Sequence, residues 1–163
     1  MNKKSLHKNK LIALHCLLFM LLLLSISTTV RFSSDILDDD ASGEMILSDT
    51  FRKEKTLVPK DWFFGNEYRI NNQLIWGVLL NFFDDWQTAR LIGTFIIQLI
   101  YLGSFIYMMR SFGFDWERIL YGCSLLILPY CVAYGRIVLY HCFYAPHIIF
   151  SFLIAGLFCT VYF

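Results

Sequence analysis

The sequence predicts an all-α membrane protein with about four transmembrane helices, plus juxtamembrane helices in the first extracytoplasmic loop. Three observations predict it. The chain is 57% hydrophobic and 18% aromatic. Only 17% of its residues are charged, against about a quarter in soluble domains. The charges also avoid the long apolar runs, several of which reach the roughly 20 residues that cross a bilayer at helical rise. The formal net charge is +1, and no basic patch stands apart from the membrane flanks. Nucleic acid is therefore excluded as a partner.

Residues 1–10 form a basic tail, with Lys3, Lys4, His7, Lys8 and Lys10. Such a flank stays cytoplasmic by the positive-inside rule. Residues 11–30 are the first span. A cleaved signal peptide begins the same way, but this apolar run is too long for a signal core. Ser25-Ile26-Ser27-Thr28-Thr29 offers no good small-x-small cleavage site. A retained signal-anchor helix fits better.

Residues 31–88 are then extracytoplasmic. The Arg31 to Asn72 loop holds nine acids against six bases, which suits the outer side. It opens on Ser33-Ser34-Asp35-Ile36-Leu37-Asp38-Asp39-Asp40-Ala41-Ser42-Gly43-Glu44. Carboxylates at the mouth of a first span must stay hydrated, find a cation or shift their pKa. A membrane enzyme keeps a base in such a place, although acidic runs are often only solvated loops. Ala41 to Lys55 lacks proline and sets Met45, Ile46, Leu47 and Phe51 at helical spacing, so it predicts a helix that Pro59 ends. Asp61-Trp62-Phe63-Phe64-Gly65-Asn66-Glu67-Tyr68-Arg69 mixes interfacial aromatics with charge. Gln73 to Phe83 is too short to span, and Gln73, Gly77 and Asn81 give it a polar stripe. It predicts a helix lying in the outer interface, ended by Asp84-Asp85-Trp86.

Residues 89–109 are the second span and 110–118 a cytoplasmic loop. Residues 119–135 are the third span, with a kink at Pro129. Residues 136–144 return outside, and 145–163 form the fourth span. Trp62, Trp76 and Trp86 fall near the outer boundary and Trp116 near the inner one, as an aromatic belt requires. Tyr130, Tyr134, Tyr140 and Tyr144 read as belt aromatics too. The five cysteines all lie in apolar segments with no CxxC pair, so they read as small buried hydrophobes. His141 and His147 are six apart and would not face one metal from one helix. Asp38, Asp39 and Asp40 are the hard oxygen donors that a divalent cation takes. No further ligands are placed around them, so no metal is assigned and the cofactor stays open. Because the chain stops inside an apolar stretch, it looks like the front part of a larger multipass protein.

The motif order resembles the amino-terminal part of GT-C type glycosyltransferases. These are multipass enzymes that use lipid-phosphate sugars, and include the protein mannosyltransferases and the lipid A aminoarabinose transferases. The resemblance is carried by Asp40-Ala41-Ser42-Gly43-Glu44-Met45, Lys60-Asp61-Trp62-Phe63-Phe64-Gly65-Asn66-Glu67, Asn72-Gln73-Leu74 and Ala89-Arg90-Leu91. The stretch from Arg136 to Tyr144-Ala145-Pro146-His147 also resembles bacterial members. The resemblance implies a base in the first outer loop, which takes the proton of an acceptor hydroxyl as it attacks the anomeric carbon. By position that base is Asp40, with Asp39 next. Glu44 is one helical turn from Asp40, and Glu67 resembles a second acidic position in the family's loop. Arg69 and Arg90 become candidates for phosphate contact, beside a plainer role as interfacial anchors. The implied partners are membrane lipid, a lipid-linked sugar donor and the remainder of a longer chain. The chain departs from the family in two respects. Asp38-Asp39-Asp40 stands where the family has an Asp-Glu pair, and the later spans are missing. A non-catalytic membrane component is the alternative reading. A transporter module is the third, and its ionisable groups would sit nearer the bilayer midplane than these acids do.

Overall fold

The computed structural model describes residues 3–31, 39–60, 72–140, 142 and 144–162. Among these residues all regular structure is helical. Helix α1 is Lys3–Arg31, α2 Asp39–Glu54, α3 Gln73–Leu79, α4 Trp86–Ser111, α5 Trp116–Ile127, α6 Val132–Tyr134 and α7 Ala145–Tyr162. A π-helical segment, Gly135–Tyr140, continues α6. Three helices are long and apolar enough to cross a membrane: His7–Arg31 within α1, α4, and α7.

The expected third span differs from a single kinked helix. Pro cannot accept a helical residue before it without a clash, so Leu128 is pushed into the extended region (φ −77°, ψ 118°). α5 therefore ends after 12 residues, about 18 Å of rise. The chain resumes helically at Val132 and widens into the π-helical segment. A broken helix in an apolar setting leaves carbonyls that side chains must satisfy. Tyr134 does so across the break, its hydroxyl donating to the Leu126 carbonyl at 2.5 Å. Gln98 of α4 donates to the Leu139 carbonyl at 2.7 Å, and Thr94 to the Tyr140 carbonyl at 3.4 Å. Asn72, just before α3, donates to the Cys142 carbonyl at 2.8 Å. Cys142 itself sits at φ +58°. The buried polar residues Asn72, Thr94 and Gln98 thus replace the ladder bonds that this irregular stretch lacks.

Interhelix contacts fix the arrangement. α7 runs parallel to α4. Near the end of both, the Cys159 thiol reaches the Ser111 carbonyl at 3.2 Å and Thr160 donates to Ser111 Oγ at 3.1 Å. Gly156 allows the approach: a Cβ there would lie 2.6 Å from the Tyr107 ring and 3.1 Å from Met108 Cα. Farther along, the Tyr101 and Phe152 rings stack at 5.8 Å. α1 and α5 start together, where Lys10 pairs with Glu117 and His7 lies 3.7 Å from the same carboxylate. Higher up, Ser25 donates to Gln98 at 3.5 Å, and Tyr140 donates to Thr28 at 3.1 Å. The starts of α1 and α5 and the ends of α4 and α7 therefore share one end of the bundle. The start of α4, with α2, α3 and Cys142, occupies the other.

Several expectations about aromatic residues change. Trp76 is fully buried rather than a belt residue, while Trp116 is 50% exposed. Tyr134 and Tyr140 turn inward to the hydrogen bonds above, whereas Tyr130 and Tyr144 stay exposed. Trp62 lies outside the described residues. Cys123, Cys142 and Cys159 are buried, but Cys16 on α1 and Cys131, in the bend before α6, are exposed. The polar stripe that starts α3 is largely not a wet face. Gln73 and Gly77 are buried, and a Cβ on Gly77 would lie 3.1 Å from the Ser48 carbonyl oxygen. Gly77 packs on α2, while Asn81, past the end of α3, stays exposed.

A second tie holds α2 to α3. Asp49 accepts from Arg52 Nη2 at 2.6 Å and lies 2.6 Å from Lys53 Nζ. Arg52 Nη1 also donates to the Leu80 carbonyl at 3.2 Å, capping the end of α3. Burial pushes the Asp49 carboxyl up, but the bonds from Lys53 and Arg52 outweigh burial and hold it below the usual carboxylate range. A depressed folded pKa stabilises the fold above the unfolded value, and that stability is lost as pH falls through the folded value. Asp49→Asn should therefore cost about 1–2 kcal/mol at neutral pH. Thermal unfolding of wild type and variant, compared across pH, should show a constant gap above about pH 5 that closes below about pH 4. A gap independent of pH down to pH 3 would show that the carboxylate charge is not what holds this tie.

Candidate functional site

At the end of the bundle shared by α2, α3 and the start of α4, a charged pair is closed off from solvent. Arg90 stands in the second turn of α4 and is 3% exposed. Its Nη1 and Nη2 both donate to Glu44 Oε2 at 3.3 Å. The guanidinium also lies over the Trp76 ring, 4.4 Å from its centroid. A buried guanidinium needs both a carboxylate and enough donors' partners to offset its desolvation. Stacking on a desolvated indole adds about 2 kcal/mol of attraction.

Local sequence builds this pair. Gly77 lets α3 lie against the α2 backbone, which brings Trp76 beside Glu44's helix. Gly93, one turn beyond Arg90, makes room for the indole: a Cβ there would lie 2.5 Å from Trp76 Cδ1 and Nε1. The indole Nε1 is buried with no hydrogen-bond partner among the described residues. That orphaned donor costs about 1–3 kcal/mol, so the packing of Trp76 between Gly93 and Arg90 has to offset it. Cys142 lies beside the pair: Arg90 and Glu44 both bear on its thiol. Asp85 caps α4, accepting from the Thr88 backbone N–H at 2.8 Å, and fixes where Arg90 projects from the helix.

The candidate residues from sequence fall into three groups. Glu44 and Arg90 are brought together as one unit. Asp39 and Asp40 lie in the first turn of α2, and position 40 is one turn before Glu44. Glu67 and Arg69 lie outside the described residues. Among the described residues no three His, Cys, Asp or Glu side chains come close enough to hold a metal.

Sequence reasoning missed Trp76, Gly93 and the carbonyl-capping residues Asn72, Thr94 and Gln98. One signal did exist. An arginine one turn inside an apolar span demands a carboxylate, and Glu44 is an acid on a helix whose other face is apolar. Trp76 carries no such signal, because an interfacial tryptophan and a buried one look alike in a sequence.

The class that these features define is a membrane-type chain that is all-helical among the described residues, with three helices there long and apolar enough to cross a membrane. Comparison with protein-family models, with curated proteins and with solved structures finds no match.

Proposed function

We propose that the chain is the front portion of an integral membrane glycosyltransferase, which moves a sugar from a polyprenyl-phosphate donor to an acceptor on the outer face. The observation that carries this reading is the Glu44–Arg90–Trp76 unit. It fixes α2 against α4 and thereby holds the first turn of α2, with Asp39 and Asp40, at one end of the bundle. A general base works only when its position is held. Asp40 is the base in this reading and Asp39 the next candidate. Glu44 acts by position rather than by touching substrate. Arg90, closed off against Glu44, positions α2 in this arrangement, and phosphate contact falls to Arg69 or to residues of a longer chain. Transfer would break the bond from the anomeric carbon to the lipid phosphate and form one to the acceptor oxygen, whose proton passes to the carboxylate.

The topology in this reading is four crossings with a cytoplasmic amino terminus. Its support is the path of residues 116–140. That path starts beside Lys10 and ends beside Thr28, so α5, α6 and the π-helical segment together form one interrupted crossing. The basic end of α1 then lies inside. A broken crossing is also what a transporter would show. Here, however, the carbonyls of Leu126, Leu139, Tyr140 and Cys142 accept from side chains of the same bundle instead of lining an open path.

Two experiments test the reading. For topology, a cysteine at the exposed Glu54 should react with a membrane-impermeant thiol reagent added outside, and one at Arg118 should not. The background would carry alanine at Cys16 and Cys131. Ser48 is fully buried and makes a poor label site. The reverse labelling pattern would sink the topology. For chemistry, sugar transfer from a lipid-phosphate donor is measured in the protein carrying the remaining spans. Wild-type rates in both Asp40→Asn and Asp39→Asn would end the glycosyltransferase reading in favour of a non-catalytic membrane component.

A further inference from the structure

A groove on the far side of α3 from Arg90 has the two-part character of a lipid site. Its head end, of about 210 Å³, lies between the carboxyl-terminal end of α2 and the exposed face of α3. Arg52, Lys55 and Leu57 line it from α2 and the turn that follows, and Leu74 and Val78 line it from α3. Its tail end, of about 320 Å³, shares Leu74 and Val78 and continues over Leu79 to Ile96 of α4. The lining of the tail end is wholly apolar. One continuous surface thus passes from two cations to aliphatic side chains alone.

The two cations differ. Arg52 is engaged by Asp49 and the Leu80 carbonyl. Lys55 is exposed and makes no ion pair among the described residues. It also stands at φ +51°, just past the last residue of α2. A lysine in the left-handed region costs about 1–2 kcal/mol relative to ordinary backbone, where glycine or asparagine would be at ease. The cost brings a flexible cation to the rim of the groove. The depth also fits. Ile96 is ten residues into α4, about 15 Å along the helix axis. That is half the hydrocarbon thickness of a bilayer, or the reach of one acyl chain in one leaflet.

We propose that this groove binds an anionic phospholipid of the surrounding membrane, its phosphate at Lys55 and Arg52 and one acyl chain along Leu74, Val78 and Ile96. The site is separate from the candidate catalytic site. Leu74 and Val78 are on the opposite face of α3 from Trp76. Along α2, Lys55 is eleven residues from Glu44, or about 16 Å. The proposal does not rest on the glycosyltransferase reading. A lipid seated here would brace the joint between α2 and α3, which the Asp49–Arg52 tie already spans at the head of the groove.

The test is native mass spectrometry of the purified chain, released from nanodiscs of equal phosphatidylglycerol and phosphatidylcholine. Wild type should retain one phosphatidylglycerol, favoured over phosphatidylcholine about fivefold, the value of one lysine near an anionic headgroup. Lys55→Gln should bring the two lipids near parity. Val78→Trp, which fills the groove, should remove retention of both, while helix content by circular dichroism stays that of wild type. If Val78→Trp misfolds, Leu74→Trp asks the same question from the neighbouring turn. Excess inorganic phosphate should leave retention unchanged, since the tail supplies much of the binding. Equal retention of the two lipids by wild type, retention surviving in both tryptophan variants, or displacement by inorganic phosphate alone would each overturn the proposal.

Discussion

Asp40→Asn is expected to slow sugar transfer by about 10²–10⁴-fold, the usual loss when a positioned general base is removed. The amide is the same size as the carboxylate but cannot accept the acceptor hydroxyl's proton. The structure separates this effect from misfolding. Position 40 lies at the start of α2, whereas the ties that dock α2 lie further along it, at Glu44 and at Asp49 and Arg52. Helix content and thermal stability should therefore stay within about 0.5 kcal/mol of wild type, as for substitutions away from a tie. Asp39→Asn should lose less, because position 39 is 100° round the helix from position 40. Glu44→Gln should behave differently from both, losing transfer and stability together. A large loss in Asp39→Asn with a small one in Asp40→Asn would move the base by one residue. Full transfer in both would remove it.

The sequence made much of the fold legible, for reasons that also explain where it fell short. Apolar runs of span length set α4 and α7 within three residues of their expected bounds, because length and hydropathy decide them, whereas α1 runs back through the basic tail to Lys3, eight residues before the expected start of its span. The helix expected over Ala41 to Lys55 starts two residues earlier, at Asp39, since aspartates are welcome in a first turn. The break near Pro129 was legible as a kink. What followed was not, because a π-helical segment depends on side chains forty or more residues away, at Thr94 and Gln98. The stripe of Gln73, Gly77 and Asn81 looked like a water-facing surface. Small and polar residues also let helices pack closely, and a period of four does not separate the two uses. Within the candidate site the acids and the arginine were visible as charges. That Glu44 and Arg90 would meet rested on Gly77 and Gly93 admitting Trp76, which is three-dimensional packing with no local pattern.

Arg90→Leu is expected to destabilise the protein by about 3–5 kcal/mol, because it removes the guanidinium that Glu44 Oε2 accepts from inside a closed-off site. Glu44 has a side chain only 12% exposed, so the guanidinium is poorly replaced by water. Glu44→Gln should cost somewhat less, since an amide can still accept from Arg90. The double variant Glu44→Gln/Arg90→Leu should be more stable than the sum of the single effects by about 1–3 kcal/mol, the coupling expected of residues in direct contact. Arg90→Lys is the informative conservative change. It keeps the charge but loses the planar fork on Glu44 Oε2 and the flat face on Trp76, so it should recover only part of the loss. Thermal unfolding in detergent measures all four variants, and proteolysis at the exposed 54–58 turn reports whether α2 has come away. If Arg90→Leu shifts neither, or if the single effects simply add, the pair does not dock α2 to α4. The first turn of α2 would then have no fixed place from which a base could act.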